Sequence, residues 1–367
     1  MRRVLRSLNS WAVAVMLIDL LAVTARAQSW NKQESHTTAD LRGVSVVSKS
    51  VAWASGAGGT VLRTISGGET WVARTVPGAE QLDFRDVEAF DERNAVLLAI
   101  GPGEKSRIYK TTDGGQHWRL LTKNDDPHAF WDCMAWWDTK HGIVVGDPVN
   151  GNFQVMVTTN GGESWIQGDA PATPGEGAFA ASGTCVAVEG QYRESRRASS
   201  WEVQARAWFA SGGSDARVFS STDAGATWNI ANTPIPSGPA SRGIFSIAFW
   251  NSSDGVVVGG DYREPALLVG NVALTRNGGR SWAAAEGVSP RGFRSAVAYD
   301  RASKLLVTVG TSGSDYSNDG GNSWQALDGG IYNALSFAPD GSGWAVGPKG
   351  RIAVWVGPAH KSRFRLP

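Results

Sequence analysis

The sequence predicts an all-β fold: a seven-bladed β-propeller of four-stranded antiparallel blades, with the ring closed by the N-terminal strand. Three observations predict it. A polar eight-residue turn ending in tryptophan recurs six times, as TISGGETW (64–71), TTDGGQHW (111–118), TTNGGESW (158–165), STDAGATW (221–228), TRNGGRSW (275–282) and SNDGGNSW (317–324). The stretches between these turns are short β-type runs punctuated by Gly and Asp, the pattern of an all-β chain. A seventh tryptophan, Trp30, stands one repeat before the first turn, and the last repeat stops one strand short.

Residues 1–27 are set aside first. Arg2, Arg3 and Arg6 precede an apolar run from Trp11 to Val23, and ARA at 25–27 resembles a small-residue cleavage site. This is the layout of a secretory signal peptide, so a mature chain from Gln28, exported to the periplasm or the exterior, is expected. No later run approaches the roughly 20 apolar residues of a spanning helix, and no membrane span is expected.

The unit ending at Trp118 shows how one blade is built. FRDVEAF (84–90) alternates and AVLLAI (95–100) is apolar. RIYKTT and HWRLLT follow, separated by the turns GPGEKS and DGGQ. Four such strands in 40 to 50 residues make one blade. Tryptophans 71, 118, 165, 228, 282 and 324 lie 47, 47, 63, 54 and 42 residues apart, and Trp30 precedes Trp71 by 41. The longest interval holds a charged insertion, about 191–206, expected to be a surface loop. At the far end IYNALSF, GWAVG and RIAVW supply three strands. The N-terminal SWNKQES would add the fourth, making residues 28–367 a single domain without an open first or last blade.

The repeated turn reads as structural. Asp113, Asp223 and Asp319 can accept backbone N–H groups, Asn160 and Asn277 can replace them, and Ser66 does so more weakly. The glycines supply positive φ. Trp71, Trp118, Trp165, Trp228, Trp282 and Trp324 are expected to wedge between sheets with each indole N–H directed to a partner. Calcium binding is the alternative, but one carboxylate per turn is poor for an ion that takes six to eight oxygens, and no metal is expected.

These turns resemble Asp-box (BNR) repeats, with the pattern Ser/Thr-x-Asp-x-Gly-x-Ser/Thr-Trp. FRDVEAF, TTDGGQHW and GWAVGPKGRI further resemble bacterial propellers of the photosystem II stability/assembly factor-like family. The resemblance implies a sialidase-like propeller fold. It also implies an arginine patch that holds a partner protein, which points by position to Arg42, Arg85 and Arg294. Relatives of this kind are sometimes labelled oxidoreductases, yet the chain carries no dinucleotide fingerprint or haem-attachment motif, and no cofactor is expected. Sialidases share the repeat but begin with Arg-Ile-Pro and use a Tyr–Glu pair, neither of which can be assigned here.

Composition narrows the function further. The chain has 45 glycines and 17 tryptophans. Removing residues 1–27 takes four arginines and one aspartate, leaving 31 basic and 33 acidic side chains and a formal charge of −2. Nucleic-acid binding usually shows as a basic excess, so none is expected. Cys133 and Cys185 are expected to be buried free thiols, with a single bridge as the alternative.

Candidate site residues follow from propeller geometry. The fourth-to-first connections and second-to-third hairpins share one face. Arg42, Arg85, Asp132, Arg242, Arg294 and Asn333 stand there at inner-strand starts, and Asp147, Asp261, Tyr262, Arg263, Asp315 and Tyr316 on the hairpins. Arginines make bidentate contacts to carboxylates, so the expectation is a monomeric binding or assembly module. It would dock a protein segment, or an anionic small ligand or glycan, on its channel face. The structural alternative is that these residues pair with Asp86, Asp132 and each other. A glycoside hydrolase is the enzymatic alternative, with Asp132, Asp147 and Asp261 as its candidate carboxylates. His128 and His141 near blade three have no nucleophile arranged around them.

Overall fold

The alternating runs form seven antiparallel sheets arranged as blades around a channel. In this computed structural model residues 28–197, 200–268 and 270–358 are described; the expected signal peptide lies outside the described residues. From the channel outward, blade 1 comprises Leu41–Val46, Ala52–Gly56, Thr60–Thr64 and Val72–Thr75. Blade 2 comprises Asp83–Ala89, Ala95–Ile100, Arg107–Thr111 and Arg119–Lys123, and blade 3 Trp131–Trp136, Gly142–Val149, Asn152–Thr158 and Ile166–Pro171. Blades 4, 5 and 6 start from the inner strands Val186–Arg197, Arg242–Phe249 and Ala296–Asp300. Blade 7 takes Ala334–Phe337, Gly343–Val346 and Ile352–Val356 from the C-terminal end and Ser29–Gln33 from the N-terminal end. Inner strands of successive blades contact one another around the whole ring. Among the described residues no helix is long and apolar enough to cross a membrane.

Closure follows the register of the other blades. Trp30 pairs with Trp355, their rings 5.1 Å apart, so Trp30 occupies the place that a turn tryptophan holds elsewhere. The seam between blades 7 and 1 is tied by Asn333, whose Nδ2 donates to Asp40 Oδ1 at 2.9 Å and to the Leu41 carbonyl at 2.8 Å. Among the described residues, seven buried apolar clusters fill the spaces between blades. Such sharing is needed because one four-stranded sheet buries too little apolar surface to be stable alone.

In the repeated turns the first residue does more than the sequence reading assigned to it. The hydroxyl of Thr64, Thr111, Thr158, Ser221, Thr275 or Ser317, each buried, accepts the N–H of the second glycine position at 2.8 to 3.0 Å. Asp113, Asn160, Asp223, Asn277 and Asp319 accept the N–H of the residue before tryptophan at 2.9 to 3.0 Å, and Ser66 does so at 3.1 Å. Gly115 takes φ 78°, and a Cβ there would press on Trp53 at 3.2 Å, so glycine is required on both counts. Trp71, Trp118, Trp165, Trp228 and Trp282 wedge edge-on against aromatics, as Trp118 against Trp53 at 6.2 Å. The indole N–H groups of the turn tryptophans differ, however. Trp71, Trp282 and Trp324 donate to protein acceptors, whereas those of Trp118, Trp165 and Trp228 find none.

Two expectations are corrected. The 191–206 insertion is not a loop: it lengthens the first two strands of blade 4, Val186–Arg197 and Ser200–Ala210, which pair out to Arg197 and Ser200. WEVQAR (201–206) alternates apolar and polar residues, which suits the second strand of a two-stranded ribbon. Cys133 and Cys185 are not free thiols but a disulfide, Cα atoms 6.0 Å apart, joining the inner strand of blade 3 to the residue before that of blade 4. The ring brings into contact two cysteines that lie 52 residues apart in the chain.

Thr158→Val removes one buried acceptor while keeping side-chain shape, leaving the Gly162 N–H unpaired. Loss of about 1–3 kcal/mol of stability is expected in urea unfolding. An unchanged midpoint would show that the hydroxyl does not hold the turn.

Candidate functional site

The inner strands of blades 1, 2, 3 and 5 carry a register shift near their start, at Leu41/Gly43, Phe84/Asp86, Trp131/Cys133 and Ile244/Ser246. A bulge leaves one residue unpaired and re-aims its side chain. The bulged residues are Arg42, Arg85, Asp132 and Phe245, and all four line one cavity of about 550 Å³ at the channel mouth. Ser295 and Asn333 line it from blades 6 and 7. Asp147 and Tyr262 reach it from hairpins.

The floor of the cavity is a segment to which the sequence reading gave no role. Residues 173–184, between blades 3 and 4, cross the channel. Glu176–Gly177 pairs with Gly212–Gly213, which pairs with Gly243, so blade 5 gains two short strands on its inner side. The Ala178 N–H donates to Asp147 Oδ1 at 2.9 Å, and Arg85 Nη1 donates to the Ala180 carbonyl at 2.8 Å. Phe179 stacks on Phe245 at 3.9 Å, and Ser182 Oγ donates to the Ser295 carbonyl at 2.9 Å. Gly183 rests on Asp86, whose carboxyl carbon would lie 2.3 Å from an added Cβ. Glu176 anchors the near end, accepting from Arg217 Nε at 2.9 Å and the Thr173 N–H at 2.9 Å. Blades 2, 3, 5 and 6 all hold this one segment.

The basic side chains of the cavity are partly used. Arg42 Nε pairs with Asp40 Oδ2 at 2.9 Å, and Arg85 Nε with Asp83 Oδ2 at 2.8 Å. Both Nη groups of Arg42 and Nη2 of Arg85 have no partner among the described residues. Asp132 is 2% exposed; burial, and then the charge of Asp147, push its carboxyl well above the usual range. Burial raises Asp147 to about 6, against the Ala178 N–H, which lowers it.

The other candidates lie elsewhere. Arg294 is 1% exposed and bound to Asp315: Nε donates to Asp315 Oδ2 at 2.8 Å and Nη2 contacts the same oxygen. It corresponds to Leu41, Phe84 and Trp131, one residue short of the cavity position, because Gly310 lies over its Cα as Gly56 does over that of Leu41 and Gly146 over that of Trp131. A one-residue shift sends a strand side chain to the other face, and Ser295 takes the cavity position instead. Arg242 pairs with Asp261 at 3.2 Å outside the lining. Burial would raise Asp261, but hydrogen bonds from Ser241 and the Arg263 N–H, and the charge of Arg242, outweigh it and hold the carboxyl below its ordinary value. Arg263 lies over the Tyr262 ring at 5.9 Å. The Tyr316 hydroxyl donates to Gln325 in blade 6. Sequence reasoning missed Phe245, Ser295, Phe179 and the crossing segment; aligning blades on the glycine opposite the bulge would have found the first two. Among the described residues no cluster of three His, Cys, Asp or Glu side chains is placed to hold a metal.

No family model matches the chain. It is 24% identical over 315 residues to the photosystem II assembly lipoprotein Ycf48 of Synechococcus sp. (strain CC9902), covering 75% of this chain and 87% of that one. It is 24% identical over 266 residues to the chloroplastic photosystem II stability/assembly factor HCF136 of Arabidopsis thaliana, 61% of each chain. A solved structure of YCF48 bound to D1 peptide superposes with a TM-score of 0.61 at 18% identity, over 89% of this chain and 95% of that one. A xyloglucanase of Xanthomonas campestris superposes with 0.56 at 14% identity, over 89% of this chain and 53% of that one. The chain resembles the photosystem II stability/assembly factor-like propellers.

Asp147 has an ordinary value of 3.8 and a folded value of about 6, so between these the folded protein holds its proton more tightly than the unfolded chain. Stability from this group is greatest below the lower value, falls as pH rises through the window, and is flat above it. Asp147→Asn removes that fall, so relative to the parent the variant is expected to gain about 1–3 kcal/mol between pH 4 and pH 7. Urea unfolding of both proteins across that range checks it. A difference constant with pH would contradict the raised carboxyl.

Proposed function

We propose that the protein is an exported binding and assembly module that docks a protein segment on its channel face, with an anionic group of the segment received by Arg42 and Arg85. The observation that carries this reading is the cavity itself. Guanidinium edges left over from the Asp40 and Asp83 pairs border an aromatic-lined opening, and such edges bind carboxylates bidentately. Two relatives named as assembly factors, and a similar fold solved with a bound peptide, support a protein segment as the ligand class. They also support export and a role other than catalysis. The glycoside hydrolase alternative rests only on Asp132 and Asp147 and on the fold of the xyloglucanase, and propellers host many unrelated activities.

The test is an Arg42→Gln/Arg85→Gln double variant of the mature chain, which keeps donors and removes charge. Partner recovered with the parent from the exported fraction is titrated against both forms. Affinity is expected to fall about tenfold or more in the variant and to weaken with salt in the parent, since exposed charges are screened over about 8 Å at physiological ionic strength. A variant that melts early but binds equally would assign the arginines to structure. Hydrolysis of xyloglucan by the parent would establish the enzyme instead.

A further inference from the structure

The two arginines of the cavity bring their own counter-charges, Asp40 and Asp83. Asp132 and Asp147 bring none. They stand on paired strands of blade 3, both line the cavity, and neither forms an ion pair with a basic side chain among the described residues. Arg85 is near enough to favour ionised Asp132, but its Nε and Nη1 are held by Asp83 and the Ala180 carbonyl. Asp132 Oδ2 is buried without any hydrogen-bond partner, and Asp147 engages only Oδ1, with the Ala178 N–H. Fully buried polar atoms of a folded protein nearly always have a partner, so an orphaned carboxylate oxygen at a cavity wall marks a place for a donor.

The remaining wall is aromatic. Phe179 stacks on Phe245 at 3.9 Å, and Phe245 meets Phe293 edge-on at 4.7 Å. Carboxylates beside aromatic rings suit an ammonium or guanidinium group, which draws Coulomb attraction and hydrogen bonding from the former and the ring quadrupole from the latter. A metal ion suits this wall less well, since it takes most of its ligands as oxygens, which the rings do not supply. Burial raises both carboxyls, and an adjacent cation would offset that cost by favouring their charged forms.

We infer that the cavity holds a basic side chain, lysine or arginine, of the docked protein segment, set against Asp132 and Asp147 with the phenylalanine wall around its stem. This rests on the reading that the channel face docks a segment, and it names what that segment carries. The site is then two-signed: Arg42 and Arg85 receive an anionic group, and blade 3 receives a cation.

The mature chain is titrated by calorimetry with Nα-acetyl-lysine methylamide, with its norleucine counterpart, which keeps the four-carbon stem and lacks the ammonium, and with n-butylamine as the free-amine arm. The lysine compound is expected to saturate one site, and the norleucine compound and butylamine to bind more weakly. Asp147→Asn, which keeps the acceptor for Ala178, should weaken the lysine compound about tenfold, as should Asp132→Asn. If Asp132→Asn does not fold, the less deeply buried Asp147 decides the matter alone. Absence of saturation by the lysine compound, equal binding of norleucine, equal binding of butylamine, or indifference to Asp147→Asn overturns the inference. So does displacement of the lysine compound by millimolar calcium. Partner docking that needs Arg42 and Arg85 but ignores Asp147 defeats this inference alone, whereas lysine binding without any docked segment defeats the broader reading.

Discussion

Five residue pairs, Ser29–Gln33 against Ile352–Val356, hold the two ends of the chain together, and the rest of the structure depends on them. Every blade draws its core from its neighbours, so an open ring would leave two apolar blade faces in water and two strand edges unpaired. The channel exists only when the inner strands of all seven blades point at one axis. Bulges on four of those strands then turn Arg42, Arg85, Asp132 and Phe245 into the mouth. A site whose members come from blades one, two, three and five is a product of closure before it is a product of any local motif.

Closure also creates the space that residues 173–184 fill. Apart from Glu176 and Phe179 the segment is made of small residues, and its backbone is fastened by Arg85 from one side and Asp147 from another. Without it the channel would be an open tube; with it the mouth is a closed cup with a polar blade 3 side and an aromatic side. Glu176 and Arg217 hold one end, and the Cys133–Cys185 disulfide follows the other. Both sides of the cup therefore rest on the same fastened segment, which ties the aromatic wall to the carboxylates across it.

Much of the fold was legible because the turns impose residue types at fixed places. A buried hydroxyl, an Asp or Asn, a glycine at positive φ and a wedge tryptophan each answer a local demand, so their recurrence could be counted. The face of the site was legible for the same reason, since the positions of inner-strand starts follow from the turns. The side each residue faces was not. Arg294 and Arg42 look alike in the chain, yet the bulge register sends one into a buried pair with Asp315 and the other to the cavity. The crossing segment was illegible altogether: GEGAFAASGT reads as a flexible linker, and its place is set by groups more than 30 residues away in either direction, Asp147 and Arg85 on one side and Ser211 and Phe245 on the other. The disulfide was missed for a related reason, since spacing in the chain says nothing about two strands brought together by the ring.

The central claim is that residues 173–184 form a fixed floor under a two-signed cavity. Amide hydrogen exchange of the mature chain tests it most directly, because the Ala178 N–H is held by Asp147 and the Ala181 N–H by the Phe179 carbonyl in the folded ring. The account predicts that both amides exchange as slowly as those of the inner strands of blades 2 and 3, before any partner is added. Exchange at the rate of an exposed loop would contradict it.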